Sequence, residues 1–161
     1  MADVVVKTKG EVTWIRLNRP ERMNSYDAEM ARELIAAVRG AADSGVIVIT
    51  GTGRAFCAGG YLANLQDPDA NALRSMFYGS LDVYEAIRTS PRPVIAAVNG
   101  AAAGGGNELV VACDLAIAVE SATFGQTGVR IGSAPVLGGT NFLSLTIGEK
   151  RAKEVAFMCR R

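Results

Sequence analysis

The chain has 161 residues, 49% hydrophobic and 20% charged, the composition of a folded domain and not of a disordered segment. Lys plus Arg number 17 and Asp plus Glu 16, and the resulting net charge of +1 gives no support to a nucleic-acid partner held by phosphate neutralisation. Histidine is absent, which excludes a Ser-His-Asp triad, a Cys-His pair and any His-based metal site, and leaves acid–base work to Glu, Asp, Lys, Tyr, Cys or bound water.

Val4–Lys7 and Val12–Leu17 read as two strands joined by a turn through Lys9-Gly10, and Asn18-Arg19-Pro20 breaks the pattern. From Asp27 the apolar residues Met30, Leu34, Ile35 and Val38 share a helical face, with Gly40 as a stop. Val46–Thr50 is a short β-branched run, the mark of a strand buried on both faces. A long helix is predicted between Asn71 and Thr89, with Met76, Phe77, Leu81, Tyr84 and Ile87 turned inward and Pro91 and Pro93 beyond its end. Val94–Val98 is another buried strand, Asn99-Gly100 turns out of it, and a helix begins in the glycine run that follows. Leu115–Val119 is a further strand, and Lys150–Arg161 places Ala152, Val155, Ala156 and Cys159 on one helical face. Alternating strands and helices indicate an α/β fold with repeated right-handed crossovers, as a single domain over residues 1–161.

Three widely spaced cysteines, Cys57, Cys113 and Cys159, fit reduced thiols in a cytoplasmic setting better than a disulfide frame. The N-terminal MADVVVKTKG lacks the apolar core of a signal peptide, and the uncharged stretch 94–107 is too short and too interrupted to span a bilayer, so no membrane partner is expected.

Three loops are candidates for a site. Gly51-Thr52-Gly53 follows a strand, but Phe56 holds the third glycine position of a dinucleotide fingerprint and no phosphate-binding Lys-Ser/Thr pair follows, which favours a plain turn. Arg54–Leu62 (RAFCAGGYL) brings small residues at Ala58, Gly59 and Gly60, where backbone N–H groups can approach a ligand closely; a tight turn would need the same residues. Asn99–Leu109 (NGAAAGGGNEL) opens a helix whose first N–H groups are unsatisfied. Two such loops on adjacent strands could each give one N–H to a single carbonyl oxygen. Glu108 lies in the first turn of that helix and heads into apolar sequence. It is either a carboxylate favourable to the helix dipole, worth about 0.3–1 kcal/mol, or an acid or base whose pKa is raised by its surroundings.

The segments WIRLNRPERMNSYD, RAFCAGGYL, PVIAAVNGAAAGGGNELVVACDLAIA, ATFGQTGVRIGSAPVLGGTNFL and GEKRAKEVAF resemble successive blocks of the crotonase (enoyl-CoA hydratase/isomerase) superfamily, in order and at family spacing from Val12 to Arg161. The resemblance implies a spiral of repeated ββα units, assembled as trimers or dimers of trimers, acting on an acyl-CoA thioester with no metal or separate cofactor. It implies that the backbone N–H groups of Gly60 and Gly105 hold the thioester oxygen and that Glu108 is a catalytic carboxylate. It also places Ala58, Tyr61 and Leu62 along the acyl-CoA channel. The reaction it points to is hydration of a 2-enoyl-CoA.

Two departures bear on the chemistry. Where hydratases carry a second glutamate in an FGQPE block, this chain reads FGQTG, with Gly128 in its place. That block resembles the naphthoate synthase branch and its ring-opening relatives, part of which uses bound bicarbonate at this point. Pro135 and the GGTNFL segment resemble hydratases instead, since that branch has an aspartate where Pro135 stands. Ring closure or opening on a cyclic acyl-CoA, and non-catalytic acyl-CoA binding, therefore stand beside hydration. The family normally continues well past the place of Arg161 into a C-terminal helical region, so residues 1–161 are expected to be an incomplete family unit. The basic cluster Lys150, Arg151, Lys153, Arg160 and Arg161 could attract the phosphates of CoA, but reads better as a solvated helix face.

Overall fold

Val4–Lys9 (β1) and Val12–Leu17 (β2) form an antiparallel ribbon whose turn falls at Gly10-Glu11, one residue later than the sequence suggests. Gly10 takes φ +58° there, a value glycine adopts without steric cost. The computed structural model describes residues 2–61 and 69–160. Beyond the ribbon, Val46–Gly51 (β3), Val94–Val98 (β5) and Leu115–Ala118 (β7) add in parallel, giving a five-stranded sheet of order β1-β2-β3-β5-β7. A second sheet runs β4-β6-β8, all parallel, from Ala55–Cys57, Ala101–Ala103 and Phe124–Gly125. Each of its strands follows a strand of the large sheet after a short turn, so the chain repeats a strand–strand–helix unit.

The core lies between the large sheet and two helices. Ile15, Leu17, Ile47, Ile49, Val94 and Ala96 point inward and meet Met30, Leu34 and Val38 of Ala28–Gly40 (α1) and Val83 and Ile87 of Ala70–Arg88 (α2). Asp27 starts α1 by accepting from the Glu29 and Met30 amides at 3.1 and 3.0 Å. It also pairs with Arg19, which reaches Asp3 as well and so fastens the N-terminal loop. Phe77 and Leu81, expected inward, are exposed: among its described side chains α2 buries the face carrying Ser80, Val83, Tyr84, Ala86 and Ile87. A helix this long covers the sheet with one stripe, and the apolar residues off that stripe stay outside. The Met76 side chain falls outside the described residues. β3 is buried on both faces as its composition indicates, but β7 is an edge strand whose Leu115 and Ile117 are 61% and 64% exposed.

Two asparagines, one buried and one half-buried, join the sheets. Asn24, fully buried, donates to the carbonyls of Ala55 and Phe56 at 2.8 and 3.2 Å and accepts from the Arg19 amide. Asn99 accepts from the Gly51 amide at 2.9 Å and donates to the carbonyls of Gly53 and Ala55. These bonds set β4 against β3 and carry the chain straight from β4 into the Ala58–Gly60 loop. Gly51-Thr52-Gly53 is the plain turn between them.

After β6, Gly105–Ala112 forms α3; Leu143–Ile147 (α4) and Glu149–Met158 (α5) close the described chain. On α5, Ala152 is buried, Val155 and Ala156 are half-buried, and the Cys159 cap is buried, as the predicted face requires. Lys150, Arg151, Lys153 and Arg160 are exposed, with Lys153 paired to Glu149 and Arg160 to Glu154. No helix among the described residues is long and apolar enough to cross a membrane.

Candidate active site

The two glycine loops meet. Tyr26 forms a parallel bridge with Gly60, in which its amide donates to the Gly59 carbonyl and its carbonyl accepts from the Tyr61 amide, each at 2.9 Å. A trans peptide sets C=O and N–H on opposite sides, so a Gly59 carbonyl turned toward Tyr26 turns the Gly60 N–H away from it. Gly59 itself, at φ +96°, is pressed on the other loop: a Cβ there would lie 2.8 Å from the Ala103 carbonyl oxygen and 2.9 Å from the Gly105 nitrogen. A side chain at this residue would push the loops apart.

On the second loop Gly104 caps α3 at φ 53°, ψ −124°, a region open to glycine alone. Its amide donates to Gly125 at 2.9 Å and its carbonyl accepts from the Glu108 amide at 3.1 Å. The Gly105 N–H therefore points out of the helix start. Neither the Gly60 nor the Gly105 N–H has a hydrogen-bond partner among the described residues. Gly106 lets α3 lie directly on β4: a Cβ there would sit 2.0 Å from the Cys57 carbonyl oxygen.

Glu108 is 4% exposed and accepts two backbone bonds on one oxygen, Oε1, from the amides of Leu137 and Gly139 at 2.8 and 2.9 Å. Burial pushes its carboxyl above the ordinary range, and the Gly139 and Leu137 amides offset that only in part. The second oxygen, Oε2, accepts no hydrogen bond from the described residues. Burial pushes the Tyr26 phenol up as well, and its hydroxyl bonds Ser80. The Cys57 and Cys113 thiols are pushed up to about 12 by burial, so neither is a thiolate nucleophile near neutral pH.

A cavity of about 150 Å³ collects these groups. Of the residues singled out from the sequence, Ala58, Gly60, Gly105, Glu108 and Gly128 line it. Tyr61 and Pro135 do not. The Tyr61 ring lies under the Arg22 guanidinium at 4.5 Å, and Pro135 is buried behind the loop, where its carbonyl accepts from the Thr140 amide. Leu62 falls outside the described residues. Gly128 opens a 3-10 turn (Gly128–Ile131), and a Cβ there would be 3.1–3.2 Å from Ser133 and Ala134, so this wall has little room for a side chain without local movement.

Residue chemistry alone passed over Tyr26, Gln126 and the Leu137 and Gly139 amides. Gln126 is 1% exposed, lines the cavity, and its Nε2 has no partner among the described residues. A Cβ on Gly139 would be 3.0 Å from this nitrogen and 3.0 Å from Glu108 Oε1, which places the amide beside the carboxylate.

Compared with known proteins, residues 7–161 match the family described as enoyl-CoA hydratase/isomerase. Similar solved structures include an enoyl-CoA hydratase from Bacillus anthracis, 35% identical over 99% of this chain and 64% of that one, with a TM-score of 0.94. An enoyl-CoA hydratase from Polaromonas sp. JS666 is 33% identical over 98% and 64%, with a TM-score of 0.92. Pseudomonas aeruginosa DspI is 31% identical over 98% and 66%, with a TM-score of 0.93. The fold is thus crotonase-like, and the chain spans 62–66% of the length of the solved structures it matches.

Proposed function

This chain belongs to the enoyl-CoA hydratase/isomerase family, and on that premise we propose that its cavity works on an acyl-CoA thioester, adding water across a 2-enoyl double bond. The observation that carries this reading is that two backbone N–H groups without a partner among the described residues, from Gly60 and Gly105, border one cavity that also holds a nearly inaccessible carboxylate.

The thioester oxygen would sit between those two N–H groups. As water adds at the β-carbon, electrons move through the α-carbon to this oxygen, and the two donors stabilise the enolate. Loss of one such donor typically costs about 3–4 kcal/mol of barrier. Glu108 takes the proton released by the adding water and returns it to the α-carbon, so one carboxylate closes the cycle. Its raised pKa suits it to both halves of that exchange. Ala58 lies on the same wall, where an acyl chain would pass. Assembly into trimers or dimers of trimers is part of this proposal, supported by the exposed apolar Leu115, Ile117 and Val119.

Glu108→Gln keeps an oxygen for the Leu137 and Gly139 amides and removes only the proton traffic. Turnover, followed as loss of enoyl-thioester absorbance, is expected to fall about 10²–10⁴-fold. Unchanged turnover removes Glu108 from the mechanism.

A second reading has its own observation. Gly128 contributes no carboxylate, while the Gln126 amide, which lines the same cavity, has a donor with no partner among the described residues. An anion such as bicarbonate could rest there and serve as the second base for ring closure or opening on a cyclic acyl-CoA. A rate on such a thioester that rises with added bicarbonate would support this. Fast hydration of crotonyl-CoA, indifferent to bicarbonate, would count against it.

A further inference from the structure

The oxygen of Glu108 that takes two amides is held by a turn with no side chain of its own at its centre. Leu137 and Gly139 donate, and Gly138 stands between them at φ +119°. What fixes Gly138 comes from another element. Tyr84, on α2, packs closely on it: a Cβ on Gly138 would fall 2.6 Å from Tyr84 Cε2 and Cζ and 2.7 Å from its hydroxyl oxygen. The Tyr84 ring stacks on Phe142 at 5.7 Å between centroids, and the Arg88 guanidinium covers Phe142 at 4.6 Å. Phe142 is tied to the same turn, its amide donating to the Gly138 carbonyl at 2.7 Å. The turn is therefore clamped by a Tyr84–Phe142–Arg88 stack, none of whose members lines the cavity.

We propose that Tyr84 is a positioning residue: its ring, seated on the bare Cα of Gly138, holds the Leu137 and Gly139 amides against Glu108. The consequence rests on the reading of Glu108 as the proton-transferring group. A glycine at φ +119° has many other conformations open to it. With the ring removed, the turn relaxes, and the amides leave the carboxylate while its other walls stay in place. The titratable groups facing Glu108 among the described residues are the phenols of Tyr26 and Tyr84, both shifted upward by burial and neutral near pH 7, so neither takes over from the lost donors.

The test compares Tyr84→Leu with Tyr84→Phe, which keeps the ring, and reads Glu108 directly. Carbon-13 NMR of side-chain-labelled glutamate, assigned by Glu108→Gln, gives the Glu108 titration, and hydrogen exchange gives the protection of the Leu137 and Gly139 amides. In Tyr84→Leu both amides should exchange faster, Glu108 should titrate at higher pH, and kcat should fall roughly ten- to a hundredfold with KM less affected. Tyr84→Phe should restore all three. If Tyr84→Leu is too unstable to study, Phe142→Leu loosens the same stack and should shift the same readouts in the same direction. Unchanged exchange and an unchanged titration overturn the proposal, as does a titration that moves down, since Tyr84 would then be excluding water and not bracing the turn. Because the NMR and exchange readouts do not need turnover, they judge this proposal even if Glu108→Gln shows that the carboxylate moves no proton.

Discussion

The two sheets of this molecule are built on opposite plans. The five-stranded sheet holds together through side chains: Ile15, Ile47, Ile49 and Val94 are fully buried against α1 and α2. The three-stranded sheet is short and nearly bare, its strands reading AFC, AAA and FG. Its neighbours approach main chain to main chain, with Gly106 on the Cys57 carbonyl and Gly59 on the Gly105 nitrogen. The first plan yields stability from apolar area removed from water. The second leaves N–H groups uncovered at the ends of the strands, where a ligand oxygen can reach them. With the proposed site, stability and chemistry would be divided between sheets, and each should fail in its own way.

The large sheet should fail by cavity formation. Ile49 is fully buried at the centre of β3, opposite Ile15 and Ala96. Ile49→Ala should lose about 2–5 kcal/mol in denaturant unfolding, while the folded fraction keeps its KM. A KM change as large as the stability loss would show that the two sheets are not separable.

The small sheet should fail by collision. Gly106→Ala puts a methyl 2.0 Å from a backbone oxygen that cannot move without unseating β4. It should cost roughly 1–3 kcal/mol, or more if α3 cannot shift, and should also displace Glu108 and lower kcat. Gly60→Ala is the control. A Cβ there meets nothing within 4 Å, and the residue has no positive φ. Its stability should stay within about 0.5 kcal/mol of wild type. Equal losses for the two variants would mean that close backbone approach is not what Gly106 provides.

This division explains what could be read from the sequence. Apolar periodicity marks β2, β3, β5 and α1 because side chains build them. β4, β6 and β8 leave no such mark, since Ala-Phe-Cys, Ala-Ala-Ala and Phe-Gly have no pattern to detect. Phe77 and Leu81 misled because an apolar residue on a helix need not face the core; Phe77 instead borders the cavity. The glycine runs and Glu108 stood out as a loop stripped of side chains beside one charge. The donors on Glu108 did not, because backbone amides at 137 and 139 have no signature in residue type. Gln126 and Asn24 look like ordinary surface polar residues until the fold buries them.

The smallest expected effect sits where the two plans meet, in the stability that Glu108 takes from the molecule. Burial raises its pKa in the folded protein, and the two amides do not cancel the rise. The folded state therefore holds this proton more tightly than the unfolded chain does. The associated stability is full below the ordinary carboxylate range and is lost as pH rises through the folded pKa. Glutamine has the same shape and no charge to desolvate. Glu108→Gln should therefore melt above wild type at neutral pH, by no more than a few degrees, and the gap should close as the pH falls below the ordinary carboxylate range. Calorimetric melting of both proteins from about pH 3.5 to 7.5 follows this directly, provided both unfold reversibly. A gap that stays constant across that span would assign the gain to packing, and the carboxylate would then be no burden on the fold.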